Sequence, residues 1–478
     1  MAFLRCKRPE QLKGFDPGAL GAVLGLDRAP EMKTLRCKFK ELAQDKSKVE
    51  ELMREMATAH VERVQEAVAF LYIDGHVRPY FGDKSLSKAH ITAMRISLPA
   101  TTDYWVGDSR GEPLLVVTTE GNAAMTQTLP SLLKEVRQAV GAEARPTIVF
   151  DRGGFCGKLF GKIVEAGFDF ITYRKGNYEA FAAEDALEVT IRRDGKERTV
   201  KTWDRRVELK EYGSIRCVAV LRSDGKQTHV LTSRDDLSIR EVLERMFSRW
   251  QQENFFKYLG EEFALDALWT YGVDQADPER TVPNPQCNAL SEQIASLRRQ
   301  IAEHQKTVGV RVLALVEGDG SKRKKPSRGA GIDPVVEIAK LEEQVKVLKE
   351  RRKALPERVH VATLRTNGNV FELARAPMLL SDIIKMTAYH IETMLLTMVA
   401  PHLKRAHEEG RAFLADVMQL DGRLTPQADC LEVSLKSPSA PRYRRALEGL
   451  CEQLNSQDVT FPETPLRLRF SVVPPLEG

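Results

Sequence analysis

The chain has 478 residues, which is too long for one hydrophobic core and indicates two to four domains. Its apolar fraction of 42% and charged fraction of 29% are typical of a globular protein. No apolar run approaches the roughly 20 residues that span a membrane, and the N-terminal residues lack a signal core. We therefore expect no membrane partner. The net charge of +5 permits nucleic-acid binding without requiring it.

The seven cysteines are odd in number and never form a CxxC pair. This pattern argues for a reducing cytoplasm and against a structural zinc site.

Residues 1–62 are predicted to be helical. Residues 17–44 read as two short helices around a turn at Gly25, and a long polar helix follows over residues 45–65. Lysines and arginines surround the apolar face of the second short helix. Two interpretations stay open, namely a helix-turn-helix that enters a DNA groove and a plain helical hairpin with solvated lysines.

An apolar run rich in β-formers occupies residues 67–75 and ends on Asp74 and Gly75. Its length and the glycine that follows predict a buried central strand with a carboxylate at its tip. A loop that holds His76, Arg78 and Tyr80 is predicted to follow. The succeeding elements are predicted to be strands at 101–106 and 113–119, a helix at 129–140, a strand at 147–150, a helix at 158–166 and a strand at 168–173.

Short strands alternate with turn residues between 187 and 233, which predicts a small antiparallel β insert within residues 179–236. A single helix is predicted from about residue 239 to 260. Further along, apolar residues at heptad spacing predict two coiled-coil helices within residues 281–356, joined by the basic loop Lys322–Arg328. Residues 357–478 are predicted to form an α+β region.

Three carboxylates fall at related places in this order. Asp74 ends the first strand, Asp151 ends the fourth, and Glu253 lies on the helix after the fifth. Central strands of an open sheet deliver side chains to a common end, so the three groups are expected to converge. Each also has a plain structural interpretation, as a turn residue, a helix cap and a solvated helix residue respectively. Hard oxygen ligands of this kind suit Mg²⁺ or Mn²⁺.

The segments around these carboxylates are YIDGHVRPY at 72–80, IVFDRGG at 148–154 and RWQQENFFK at 249–257. With them the chain resembles a bacterial insertion-sequence transposase of the DDE type. Residues 281–285 and 382–389 extend the resemblance into the second half. The resemblance implies an α/β fold, a ribonuclease-H-like mixed five-stranded sheet flanked by helices. Residues 63–178 would form its first part and residues 237–280 its closing helix.

The resemblance further implies that Asp74, Asp151 and Glu253 are the catalytic residues and the ligands of two Mg²⁺ or Mn²⁺ ions. In one branch of such enzymes a Tyr–Arg–Glu–Lys signature surrounds the glutamate, and its basic members bind DNA phosphates. Arg249 has the expected spacing, whereas Met246 and Gly260 occupy the Tyr and Lys positions; Lys257, one helical turn away, is the substitute.

Three further residues have two interpretations each. Trp203 either stacks on a flipped base or belongs to the core. Arg152 either binds a phosphate or is simply exposed. His76 either contacts DNA or is structural.

The expected function is that of a DNA transposase that hydrolyses phosphodiesters at element ends and transfers the 3′ ends into target DNA. Its partners would be double-stranded DNA and a second copy of the chain, in the bacterial cytoplasm at the nucleoid. The alternatives are a related metal-dependent nuclease, and a non-catalytic or truncated DNA-binding descendant of a transposase.

Overall fold

A computed structural model describes residues 1–84, 86–92, 94–121, 123–193, 195–275, 279, 281–316, 334–364 and 371–473. The basic loop Lys322–Arg328 lies outside these residues. The chain forms two compact units, one of Met1–Val273 with Leu373–Gly478 and one of Asp274–Glu372. Among the helices of the described residues, none has the length and apolar character needed to cross a membrane.

The described residues contain twelve α-helices and seventeen strands. The helices are α1 (Pro17–Val23), α2 (Met32–Leu42), α3 (Lys46–Arg63), α4 (Met125–Val140), α5 (Gly157–Glu165), α6 (Ile239–Phe247), α7 (Trp250–Phe263), α8 (Pro285–Val316), α9 (Pro334–Ala354), α10 (Arg375–Val399), α11 (Ala406–Val417) and α12 (Pro441–Ser456). The first ten strands are β1 (Phe70–Pro79), β2 (Lys88–Ile91), β3 (Ile96–Gly107), β4 (Pro113–Glu120), β5 (Thr147–Phe150), β6 (Asp169–Tyr173), β7 (Leu187–Arg193), β8 (Lys196–Leu209), β9 (Gly213–Leu221) and β10 (Gln227–Thr232). The others are β11 (Val273–Gln275), β12 (Thr281–Pro283), β13 (Arg358–His360), β14 (Phe371–Leu373), β15 (Gly422–Pro426), β16 (Cys430–Lys436) and β17 (Arg467–Val473).

A ten-stranded mixed sheet organises the larger unit. Its central part has the order β4–β3–β1–β5–β6, in which β1, β5 and β6 are parallel and β3 is antiparallel to both neighbours. Side chains of β1 are buried on both faces, with Leu71 and Ile73 in one core and Phe70 and Tyr72 in the other. Helices α3, α4, α5 and α10 cover the first face and α6 covers the second. This burial explains why the strand is a continuous apolar run.

The predicted end of the first strand at Gly75 is wrong. Residues Tyr72 to Pro79 pair with β3 without interruption, so Asp74 lies within β1 and not at its tip. The absence of a side chain lets Gly75 pass the Tyr104 ring, because a Cβ there would lie 3.1 Å from that ring. His76 and Arg78 therefore belong to a strand and not to the predicted loop.

The predicted β insert forms strands β7–β10, but it does not make a separate sheet. Strand β10 pairs with β6, and the sheet continues through β9 and β8 to β7. The predicted single helix at 239–260 is also interrupted, at Ser248 and Arg249. There the Ser248 hydroxyl donates to the Glu244 carbonyl at 2.8 Å, a local bond that competes with regular helix geometry.

Beyond the large sheet, the C-terminal residues fold as predicted into helices and strands. Strands β15, β16 and β17 form a three-stranded sheet, which packs with α10, α11 and α12 around a core that includes Leu447 and Phe413. The sequence pattern at 360–364 favours a short strand, whereas Val361–Leu364 forms a 3₁₀ helix. Helix α12 has no predicted counterpart.

In the smaller unit, α8 and α9 pack through the apolar residues of the predicted seams. Ile294 and Ile301 of α8 contact Leu341 and Val345 of α9 in one buried cluster. The start of α8 and the end of α9 lie together, since the Asn284 side chain donates to the Pro356 carbonyl at 3.0 Å. The two helices are therefore antiparallel.

Candidate active site

Two aspartates lie side by side where the parallel pairing of β1 with β5 ends. Ile73 of β1 pairs with Phe150 of β5, so Asp74 and Asp151 are the next residues of adjacent parallel strands. Asp151 also caps the 3₁₀ turn that follows, because its side chain accepts from the Gly153 N–H at 2.7 Å. Its functional and capping interpretations are therefore compatible with each other.

The third carboxylate reaches this edge through a salt bridge. Arg249, at the start of α7, donates to the Asp74 carboxylate at 2.7 Å and to the Glu253 carboxylate at 3.2 Å. Arg249 and Glu253 are four residues apart, so both lie on one face of the helix. The guanidinium therefore links the carboxylate of the strand to that of the helix.

The position of α7 depends on a residue that the sequence analysis did not identify. Gln252 is buried and donates from its side-chain amide to the Tyr72 carbonyl of β1. A Cβ at residue 107 would lie 2.9 Å from this amide, so the contact requires Gly107. Phe255 packs edge-on against Trp105 with ring centroids 5.5 Å apart. These contacts hold the first turn of α7, with Arg249 and Glu253, beside β1.

The site has an excess of negative charge. Burial raises the pKa of Asp74 to about 6; Arg249 opposes this shift, whereas the charges of Asp151 and Glu253 add to it. Burial and the charges of Asp151 and Asp74 likewise raise the pKa of Tyr104 to about 12. When all three carboxylates are ionised, one guanidinium does not neutralise them. The site would therefore be stabilised by a further positive charge.

The residues fit a divalent cation by the chemistry of their donors, which are hard carboxylate oxygens. In the described residues these three carboxylates are not grouped with all ligand oxygens within 4.8 Å of one another. The Glu253 side chain is 63% exposed, so it can move without disturbing the core. Closure around an ion would therefore require Arg249 to leave and Glu253 to approach.

Comparison with known families decides what kind of protein carries this site. The profile of a family described as "Transposase protein" matches residues 1–474. The chain belongs to this transposase family. A search of curated proteins found no match to the sequence.

Two solved structures show a distant likeness. One is a piggyBac transposase synaptic complex with hairpin DNA, with 13% identity over 44% of this chain and 46% of that chain and a TM-score of 0.28. The other is an Argonaute from Aquifex aeolicus, with 9% identity over 39% of this chain and 25% of that one and a TM-score of 0.18. The transposase therefore aligns with less than half of either structure.

The remaining predicted site residues lie in different environments. His76 bonds Asp266 at 2.6 Å and stacks on Phe256, which is the structural alternative for this residue. Trp203 is buried and its indole N–H donates to the Ala182 carbonyl at 2.7 Å, so the structure shows the core role and leaves no face for a base. Arg152 is exposed and lies over the Tyr173 ring, 5.6 Å from its centroid.

The signature positions around Glu253 have clear structural roles. Met246 is fully buried against the second face of the sheet and contributes no polar group. Gly260 lies on α7 without a side chain, whereas Lys257 is exposed one turn after Glu253. Lys257 is therefore the cation of α7 that follows Glu253 on its own face of the helix.

The raised pKa of Asp74 predicts that Asp74→Asn stabilises the metal-free protein at pH 7. Because the folded pKa is about 6 and the ordinary value 3.8, the folded state binds the proton more tightly, and stability falls as pH rises through this window. Ionisation of Asp74 therefore lowers the free energy of unfolding by about 3 kcal/mol at most. We expect Asp74→Asn to recover about 1–3 kcal/mol.

Urea unfolding in EDTA at pH 7 measures this effect, with Glu261→Gln at an exposed position of α7 as a control that changes little. The gain of Asp74→Asn should shrink as the pH is lowered towards 4. A variant less stable than wild type at pH 7 would contradict the prediction.

Proposed function

We propose that this transposase cleaves DNA by metal-dependent phosphodiester hydrolysis, with Asp74, Asp151 and Glu253 as its catalytic carboxylates, and that it is of the DDE insertion-sequence type. The observation that carries the proposal is the adjacency of Asp74 and Asp151 where the parallel pairing of β1 with β5 ends, with Glu253 joined to Asp74 through Arg249. Carboxylates from strands and a helix are thereby gathered at one edge of the sheet.

The order of the central strands supports a ribonuclease-H-like sheet. Five strands in the order β4–β3–β1–β5–β6 form a mixed sheet with helices on both faces. Their mixed arrangement supports the proposal, and β2 and β7–β10 extend the sheet to ten strands before α7. The catalytic edge would then lie where the parallel pairing of β1 with β5 ends, beside the carboxyl end of β5, where ligands of open α/β sheets bind.

Asp74, Asp151 and Glu253 would hold Mg²⁺ or Mn²⁺. Two such ions supply activation of a water or a DNA 3′-hydroxyl and stabilisation of the leaving oxygen. Burial raises the pKa of Asp74 to about 6, and a divalent cation beside it would lower this pKa and favour the ionised form that binds the metal. Arg249, once released from Asp74 and Glu253, could bind a DNA phosphate with its planar fork, next to Lys257 and Arg152.

The experiment uses labelled duplexes that carry the ends of the element, incubated with the full chain in Mg²⁺ or Mn²⁺. Nicked ends followed by joined products would support the transposase mechanism. Nicks that are never joined to target DNA would favour the metal-dependent nuclease. Binding without nicking would favour a non-catalytic or truncated descendant. Mass measurement of the same complexes tests whether two copies assemble on DNA.

A further inference from the structure

A second polar cluster joins three segments that are far apart in sequence. It contains His60 of α3, Glu112 of the turn before β4, and His390 of α10. One ligand atom from each of the three lies within 4.8 Å of the other two. His60 and Glu112 are buried, and the two imidazoles are stacked with centroids 4.6 Å apart.

The hydrogen bonds of His60 determine where its proton lies. Arg63 approaches His60 Nδ1 at 2.9 Å, and a guanidinium can only donate, so Nδ1 has no proton. Nε2 therefore carries the hydrogen and donates to the Asp108 carboxylate at 3.1 Å. A carboxylate behind a histidine in this way fixes the ring and raises its basicity, as in metal sites where His binds through the other nitrogen.

His390 has the same arrangement. Its Nε2 lies 2.8 Å from the Pro113 carbonyl oxygen, which can only accept, so Nε2 carries the hydrogen. Neutral His390 therefore also has an unprotonated Nδ1. Glu112 is presented by a turn in which Asp108 accepts from the backbone N–H groups of Arg110 and Glu112, each at 2.9 Å.

Two unprotonated imidazole nitrogens and a carboxylate are a ligand set that zinc uses in proteins. The cation at this place is Arg63, which donates to His60 and lies 3.2 Å from Glu112. Its side chain is 42% exposed, so it can turn into solvent. Ligands of a tetrahedral zinc lie about 3.4 Å apart, and zinc lies in the plane of each imidazole that binds it. Closure therefore requires the three ligand atoms to approach one another and one of the two stacked rings to turn.

We propose that His60, Glu112 and His390 bind Zn²⁺, with water in the fourth position, and that the ion ties α3 and α10 to the turn before β4. The cysteine spacing is evidence only against cysteine-ligated zinc, and this set has histidine and glutamate ligands. The proposal is independent of the carboxylate site and of the DNA chemistry.

The test uses the full chain carrying Asp74→Asn and Asp151→Asn, so that the carboxylate site cannot contribute. After chelation, Zn²⁺ is added and its affinity is measured by competition with a chromophoric chelator. We expect one Zn²⁺ per chain and a higher melting temperature with the ion. Glu112→Gln or His390→Gln should weaken binding more than about 100-fold, beyond the effect of losing a second-shell partner. His407→Gln, an exposed histidine on α11, is the matched control and should bind as before.

Arg63→Ala separates a zinc site from a purely structural polar network. Removing the competing cation should tighten Zn²⁺ binding about tenfold. This is the change in affinity expected when zinc no longer has to displace one hydrogen bond to a charged group. A network that needs Arg63 would instead give no zinc binding. If the ligand variants do not fold, two other measurements test the proposal. One is the Zn²⁺ affinity of Arg63→Ala, and the other is the visible spectrum of Co²⁺ bound to the parent chain, which should be that of a tetrahedral site. Absence of stoichiometric Zn²⁺, or affinity equal in His407→Gln and His390→Gln, would overturn the proposal.

Discussion

Asp74→Asn and Asp151→Asn are each expected to reduce DNA cleavage about 10³-fold or more. Both carboxylates lie where the parallel pairing of β1 with β5 ends, and replacing either by an amide removes a charged oxygen ligand. Metal ions contribute several kcal/mol to phosphodiester cleavage, and each 1.36 kcal/mol changes the rate tenfold. Asparagine keeps the size of the side chain and the oxygen that bonds the Gly153 N–H in the case of Asp151.

Glu253→Gln tests the third member, and Glu261→Gln on the same helix is its matched control. Because Glu253 is exposed and its ion pair among the described residues is with Arg249, its loss should abolish cleavage without a change in stability. Initial rates of nicking on end duplexes, measured with DNA binding on the same samples, give the comparison. Full activity in any one of the three variants would remove that residue from the catalytic set.

The parts of the site that could be predicted are those encoded locally. Apolar runs rich in β-branched and aromatic residues mark β1 and β5, and each is followed by an aspartate at a defined place in the chain. Their pairing follows from the order of elements, so the meeting of Asp74 and Asp151 was accessible from sequence. The extent of β1 could not be predicted from sequence, because its pairing with β3 continues through Gly75 and determines where the strand ends.

Contacts between distant segments could not be predicted. His76–Tyr80 looks like a loop because it is polar, yet Arg78 is fully buried with partners 25 and 304 residues away. Arg249 was expected to bind DNA, and no local pattern signals that it joins Asp74 to Glu253 in the free protein. Likewise, Gln252 looks in sequence like any polar residue of an amphipathic helix, and its hydrogen bond to the Tyr72 carbonyl is known only from the structure.

Asp382→Leu is expected to destabilise the larger unit by about 3–5 kcal/mol, because it leaves a buried cation without its partner. The Arg78 guanidinium donates through two nitrogens to Asp382, at 3.1 and 2.6 Å, and through its third to Asp103. Lys385 lies nearby, and burial lowers the pKa of its amine to about 8. These four buried groups balance as two positive and two negative charges.

Lys385→Met is the second substitution, because it removes one positive charge from the same buried group. Losing Asp382 leaves an excess positive charge, so adding Lys385→Met restores neutrality and leaves the Arg78–Asp103 pair intact. The double variant should therefore recover part of the loss, a coupling of about 1–3 kcal/mol in a double-mutant cycle. Asp416→Ala, an exposed aspartate of α11, should stay within about 0.5 kcal/mol of wild type.

Tryptophan fluorescence during urea unfolding reports on this unit alone, since all four tryptophans of the chain lie within it. Arg78 and Lys385 also donate to the Leu265 carbonyl, just beyond the end of α7, so the network holds the helix that carries Glu253. Asp382→Leu should for that reason lower cleavage at temperatures where it is still folded, and Lys385→Met should not restore it fully, because it removes one of those donors. Equal stability of Asp382→Leu and Asp416→Ala would show that the buried charges are not coupled.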